Sequence, residues 1–351
     1  MKSRLNQEML DELVAHTAKK PNIFGVVMCV EKGDDSMELV SAAGNMHTDD
    51  LYFIASVTKM YVTTVLFKLR AQRYLQLEDP ISKYLPKDMT ERIHVLNGID
   101  YTHQITIKHL VSNTSGIPDY FSSDVFKNLV NGEDQSWNVE KTLQVIKNKK
   151  PRFSPGQKRK AQYSDTNFQL LGKIIEVVTG ESLSSVYQRL IFDELCLEKT
   201  HVFDHKEPRN EQPISMYYKS KRLDLPLYIS SIPAEGGVVS TAKETMRFLR
   251  AYFDGHLFPR EELQELQQWN LLFAPSLSFY GLGLAIQPLF LPDFIRKSGL
   301  MGHWGQTGAF AFYHPPTDLY FTGTVNQLTG HFHAIRLMSK IIRKERVREN
   351  E

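Results

Sequence analysis

Ser56 and Lys59 stand three residues apart in Phe53-Ile54-Ala55-Ser56-Val57-Thr58-Lys59, directly ahead of the apolar run Met60 to Phe67 and a basic close at Lys68 and Arg70. That pattern predicts a buried helix with both residues in its first turn. Positions i and i+3 share a helix face, so the amine comes within hydrogen-bond reach of the hydroxyl. A serine hydroxyl is a poor nucleophile at neutral pH. An amine desolvated against an apolar wall can lose its own proton and accept the hydroxyl's, and the free N–H groups of the first turn can face a developing oxyanion. The chemistry this pair suits is acyl transfer through a covalent serine intermediate.

The spacing alone is not distinctive, because a chain of this length carries on the order of one Ser-x-x-Lys by chance. A second copy, Ser240-Thr241-Ala242-Lys243, is present. There Thr241 and Glu244 make a capping-box pattern ahead of Met246, Phe248, Leu249 and Tyr252, so that copy reads as the start of a helix.

Elements able to hold such a pair must come from an ordinary globular chain. Its 351 residues, 42% hydrophobic, 23% charged and 11% aromatic, allow one large domain or two intimate ones with a sizeable core. Lys+Arg 42 against Asp+Glu 40 leaves +2, which implies neither a nucleic-acid nor a membrane partner and leaves a small molecule or peptide as the expected substrate. Locally the balance differs: Lys147, Lys149, Lys150, Arg152, Lys158, Arg159 and Lys160 crowd one segment that runs into Tyr163, a pattern more often a solvated face than a binding patch. Cys29 and Cys196 both sit among apolar residues and read as buried small hydrophobes, with no disulfide framework. No apolar leader and no apolar span of membrane length is present, so the chain as written is expected in the cytoplasm; one trimmed of an export signal would read the same.

Along the chain, residues 4–18 pattern as an amphipathic helix, and Ile23 to Glu31 with Met37 to Ala43 pattern as a hairpin around Gly33-Asp34-Asp35-Ser36. Thr106 caps a short helix from Ile107 to Val111. Further helices are expected over Val139 to Ile146, Thr166 to Thr179 and Leu183 to Leu195, and a last one over Ala334 to Arg346. Tyr280 to Gln287, Ala309 to His314 and Leu319 to Val325 read as strands, with a turn at Pro315-Pro316-Thr317-Asp318. Strands at both ends and helices between them predict an α+β fold: a sheet lobe from residues 1–76 and 231–351, a mostly helical subdomain over 77–230, and a site where they meet.

Two further stretches carry chemistry-bearing residues: Gln162-Tyr163-Ser164-Asp165-Thr166-Asn167, a loop before a helix, and Gly302-His303-Trp304-Gly305-Gln306-Thr307-Gly308, expected at the start of a strand. With Ser-x-x-Lys ahead of them, their order resembles the serine β-lactamase and penicillin-binding-protein superfamily, in the branch of class C β-lactamases, DD-peptidases, D-aminopeptidases and related esterases. Ile105 to Gly116, Phe153-Ser154-Pro155-Gly156, Leu170-Leu171-Gly172, Gly236 to Thr241 and Tyr280 to Gly283 look like landmarks of the same family. The resemblance runs from about residue 20 to the last helix. It implies a β-lactamase/transpeptidase-like fold, an antiparallel sheet flanked by helices, with no cofactor and no metal.

By this resemblance Ser56 would be the acylated nucleophile and Lys59 its proton acceptor. Tyr163 would be a second base, its phenolate favoured by Lys59, handing the proton to the leaving group. The oxyanion would lie between the backbone N–H groups of Ser56 and Gln306, with His303 and Gly305 lining the opposite wall. Two departures bear on substrate. Asp165 stands where the family has an Asn that contacts the substrate amide, and Trp304 stands where a small hydroxyl residue meets a substrate carboxylate. An ionised Asp165 cannot donate that contact, and the loss of the hydroxyl at Trp304 favours an ester or amide without a free carboxylate over D-Ala peptides and β-lactams. A register with Gln306-Thr307-Gly308 as the third motif would restore the hydroxyl but lose the cation. A non-catalytic receptor of the same fold is the alternative from another class; the complete Ser56, Lys59 and Tyr163 set weighs against it. Gly-x-Ser-x-Gly, Gly-x-x-x-x-Gly-Lys and His-Glu-x-x-His do not occur, and His331-Phe332-His333, at the start of the last helix, reads as surface or capping rather than metal-binding.

Overall fold

The computed structural model describes residues 5–207, 209–272 and 278–346. An eight-stranded antiparallel sheet forms its spine, in the spatial order Asn270–Leu271, Phe279–Tyr280, Ala285–Gln287, Leu300–Trp304, Ala309–His314, Leu319–Thr324, Gly25–Lys32 and Glu38–Gly44. Gly25–Lys32 pairs with Leu319–Thr324 in the register Val27 to Thr324, which joins the two ends of the chain in one sheet. The expected mixed fold and the hairpin around residues 33–36 are therefore present.

Alternation along the strands divides the apolar residues between two faces. Val26, Met28, Val30, Phe310, Phe312 and Phe321 face the first and last helices, Gln7–Ala18 and His331–Arg346, in one core. Val27, Cys29, Met301 and Ala311 face the other way, into a larger core that also holds Phe67, Phe168 and Leu249. The sheet lobe and the intervening helices thus share a single apolar interior. Its centre is the helix Thr58–Ala71, buried from Thr58 through Phe67, with the hydroxyls of Thr63 and Thr64 donating to the carbonyls of Lys59 and Met60 at 2.9 Å. A helix apolar on nearly every side has to be surrounded.

Several local expectations need correction. Tyr280 to Gln287 is a hairpin of two short strands rather than one strand, because its Gly281–Gly283 turn abuts the central helix: a Cβ on Gly283 would lie 1.8 Å from Thr63 Oγ1. The middle of the chain carries short strands as well as helices, among them His201–Val202, which joins Val238–Ser240. Leu183–Tyr187 passes into a π-helical turn, Gln188–Phe192. Cys196 is exposed at a left-handed position, φ 51°, not buried. Thr241 does cap its helix, Ala242–Asp254, but Glu244 turns its carboxylate to the backbone N–H groups of Lys199 and Thr200 instead of closing a capping box.

Candidate active site

Ser56 lies in a 3-10 turn, Ala55–Val57, that runs directly into the helix Thr58–Ala71. Ala55 enters that turn with φ 46°, a left-handed conformation that costs a non-glycine residue about 1 kcal/mol and sets the nucleophile at the mouth of the helix. One turn on, Lys59 is fully buried, and its Nζ lies 2.9 Å from Ser56 Oγ, 2.9 Å from the carbonyl of Glu235 and 2.7 Å from Asp165 Oδ1. Two of its N–H donors are hydrogen-bonded to neutral oxygens, and the Asp165 carboxylate pairs with its charge.

Tyr163 and Asp165 come from the loop before the helix Asp165–Thr179, and Asn113 holds that loop. Asn113 Oδ1 accepts from Ser164 N at 3.1 Å and Asn167 Nδ2 at 2.9 Å, while its carbonyl accepts from Gln162 N at 2.9 Å. Both flanks of Tyr163 are thereby fixed by one buried residue, Asn113, through its carbonyl on one side and its side chain on the other. Asp119 takes the place of a helix cap, accepting from Asp165 N at 3.0 Å. The Tyr163 ring sits with Lys59 Nζ 5.1 Å from its centroid and Tyr280 and His303 at 5.8 and 6.0 Å, and its phenol is close enough to the Ser56 hydroxyl for that group to favour its ionised form.

The opposite wall is the turn after Leu300–Trp304, so the third motif ends a strand rather than starting one. Gly305 is required there by close approach: a Cβ would stand 2.4 Å from the carbonyl of Ile54 and 3.2 Å from Ala55 Cβ. That contact brings Gln306 and Thr307 to the cleft that Ser56 also lines. Thr307 spends its hydroxyl on the carbonyl of Phe53 at 2.7 Å.

Three sequence expectations fail on the electrostatics and geometry of this site. Burial holds the Tyr163 phenol well above its ordinary value, with the carboxylates of Asp165, Asp119 and Glu235 adding to the shift and the Ser56 hydroxyl opposing it, so the resting group is a phenol and not a phenolate. His303 is no cation. Burial, with Lys59 as the lesser cause, pushes it down to about 3; its Nδ1 donates to the carbonyl of Trp304 at 2.8 Å, which leaves Nε2 to accept from Tyr280 Oη at 3.2 Å. Trp304, one residue on, points to the other face of the sheet, against Phe312 and His331. It lies away from Ser56, and its bearing on substrate choice disappears with it.

Glu235 was not apparent from the sequence beyond its place ahead of Gly236-Gly237. Its carboxyl is buried, accepts from Tyr120 Oη at 2.6 Å and Gln169 Nε2 at 2.9 Å, and is held well above the usual carboxylate range by burial and then by Asp165. Asp119 is raised for the same two reasons. The cleft over Ser56, about 60 Å3, is lined by Asp165 and Glu235 among apolar residues such as Phe121, Leu129 and Ile229, with no Lys or Arg. Among the described residues no group of His, Cys, Asp and Glu is arranged to hold a metal.

These buried groups give stability an opposed pH dependence. The unfolded chain protonates His303 below pH 6.5 and the native protein refuses that proton until about pH 3, so this group costs about 1.4 kcal/mol per pH unit as pH falls through that window. Glu235 acts in reverse: above its ordinary value of 4.5 the unfolded chain releases a proton that the native protein keeps, so stability falls as pH rises until the native carboxyl ionises. Urea midpoints measured from pH 4 to 8 should lose their acid-side fall in His303→Gln and their rise-of-pH fall in Glu235→Gln. Parallel curves for all three proteins would refute these protonation states.

The chain resembles known proteins over most of its length. The Beta-lactamase family model matches residues 10–340. A putative penicillin-binding protein, PbpX, of Bacillus subtilis is 26% identical over 293 residues, which is 79% of this chain and 66% of that protein. Teichoic acid D-alanine hydrolase of Staphylococcus aureus is 32% identical over 167 residues, 48% of this chain and 35% of that protein. The chain thus spans less than two thirds of the length of either relative. Among solved structures, a D-stereospecific amidohydrolase from a Streptomyces species superposes with a TM-score of 0.78 at 26% identity, covering 92% of this chain and 95% of that one. With its antiparallel sheet, central buried helix and ordered motifs, the chain belongs to the Beta-lactamase family.

Proposed function

We propose that this protein is a serine hydrolase that cleaves a small aminoacyl ester or amide lacking a free carboxylate, through an acyl-enzyme on Ser56. The observation that carries this reading is the placement of Ser56 Oγ against both Lys59 Nζ and the Tyr163 phenol. Ser56 attacks the acyl carbon and passes its proton to the Tyr163 oxygen as the phenol's own proton moves to the leaving group. Lys59 remains an ammonium and stabilises the charge on Oγ, and the backbone N–H groups of Ser56 and Gln306 receive the oxyanion. Water then repeats the relay in reverse: its proton reaches Ser56 through Tyr163, and the acid is released. Protons balance at each step, and Tyr163 never has to rest as the phenolate that its buried surroundings disfavour.

The substrate class follows from charge and volume. A cleft lined by two acidic residues and no Lys or Arg gives a substrate carboxylate no partner, whereas it suits an acyl group that is neutral or carries an ammonium. About 60 Å3 holds a short acyl chain, since a single water needs about 10–15 Å3 by the same measure. The names of the staphylococcal and Streptomyces relatives support a D-aminoacyl group, D-alanine being the smallest. An unpaired charge in a dry site costs about 1–3 kcal/mol or more, so D-alanyl esters should exceed benzylpenicillin in kcat/KM by about two decades. Initial rates on D-alanine methyl ester, its L enantiomer, its N-acetyl derivative and benzylpenicillin test this. Penicillin turnover faster than that of the D-alanyl ester would exclude this substrate class.

A further inference from the structure

A cavity larger than the catalytic cleft, about 780 Å3, opens on the segment that ends at Tyr163. Lys150, Arg152 and Lys160 line it together with Asn97, Gln157 and Gln162, and no Asp or Glu is among its lining residues. We propose that this cavity is a binding site for a polyanion whose charges are phosphate groups, and that it holds the leaving-group portion of an extended substrate beside Tyr163. The binding part of this inference stands by itself; its link to turnover rests on the function proposed above.

A run of basic residues is usually a solvated face, and three observations separate this one from that default. First, the charges line a concavity with an apolar back made by Leu96, Pro151, Phe153 and Ala161. Second, the walls are pinned. His94 Nε2 donates to the carbonyl of Phe153 at 2.9 Å, Gly156 N to the carbonyl of Thr114 at 2.9 Å, and Gln162 N to the carbonyl of Asn113 at 2.9 Å. The same 113–114 turn that fixes Tyr163 therefore fixes the cavity. Third, two of the charges, Lys150 and Arg152, face no carboxylate among the described residues. Lys147 and Lys149 donate to the backbone carbonyls of Asp88 and Asp119, whereas among the described residues no carboxylate pairs with Lys150 or Arg152. Among the lining residues, Gln162 Oε1 is buried without a hydrogen-bond partner, and the amide turned about its axis would present N–H to an anion.

The chemistry selects phosphate over an isolated carboxylate. The Arg152 guanidinium fork and the Lys150 ammonium in one cavity are satisfied together by a ligand carrying several acceptor oxygens and more than one charge. Such a ligand exchanges counterions for protein cations, which makes its affinity fall steeply with salt.

Binding of a short linear polyphosphate to the full chain carrying Ser56→Ala, followed by calorimetry at increasing salt, tests the site without turnover. Lys150→Glu with Arg152→Glu should weaken binding by about tenfold to a hundredfold and flatten the salt dependence. Arg336→Glu with Lys340→Glu, which changes net charge equally but lies in the cavity between the first and last helices, should bind as the parent does. Thermal melts of both double variants establish that they are folded. Equal weakening by both pairs would show that net charge alone draws the polymer and would overturn the site. Polyglutamate binding as tightly as polyphosphate, or inorganic phosphate binding as tightly as the polymer, would overturn the assignment to a phosphate polymer. Polymer binding that depends on Lys150 and Arg152 in a protein with no esterase activity would uphold the site while refuting the function proposed above.

Discussion

Replacing Tyr163 with Phe should lower kcat/KM by about 10²–10⁴ with little change in KM or in stability. The ring keeps its edge contact with Tyr280 at 5.8 Å and its place beside His303, so the fold of the loop survives; only the hydroxyl that meets Ser56 is lost. Because burial, with Asp165 as the next cause, keeps that hydroxyl protonated at rest, its contribution is to relay a proton during attack, not to sit as a pre-formed base. Steady-state kinetics on a D-alanyl ester measure the loss. A fall of less than about tenfold would mean that the proton leaves by another route.

Lys59→Met should damage both stability and activity, and a second substitution should separate them. Methionine fills the space of the aliphatic stem but removes the ammonium that pairs with Asp165 at 2.7 Å and reaches Ser56 and the Glu235 carbonyl. Breaking a buried pair while leaving its partner charged costs about 3–5 kcal/mol. Activity should fall by about 10²–10³ or more, since a fixed donor at the reacting oxygen is gone. Adding Asp165→Asn removes the stranded charge, so the double variant should regain most of the stability and none of the activity. Urea midpoints and ester kinetics on both variants give the comparison; a double variant no more stable than Lys59→Met would show that the two residues are not coupled.

What could be read from the sequence was what depends on short separations. Ser56 and Lys59 are one helical turn apart, and the burial of their helix follows from the unbroken apolar run after them. The end-to-end sheet was legible because strand patterns gather at both ends of the chain. Three failures have physical causes. Placing both His303 and Trp304 in the site ignored the two-residue period of a strand, by which neighbours face opposite sides; His303 meets Tyr163, so Trp304 meets Phe312. The Tyr163 phenolate was inferred from Lys59 alone, whereas its protonation is set first by burial, which appears only when the chain is folded, and then by Asp165, with smaller contributions from Asp119 and Glu235, 44 and 72 positions away along the chain. Glu235 itself is separated by 66 positions from Gln169 and by 115 from Tyr120, its hydrogen-bond partners, so its burial could be seen only once the chain was folded.

The central claim is a covalent acyl-enzyme on Ser56, and it is tested most directly by the mass of the protein during turnover. Mixing with a short-chain p-nitrophenyl ester, quenching in acid and digesting should give a burst of nitrophenol and an acyl adduct confined to the peptide that contains Ser56, absent from Ser56→Ala, which should not turn over. An adduct on another residue, or full turnover by Ser56→Ala, would contradict it.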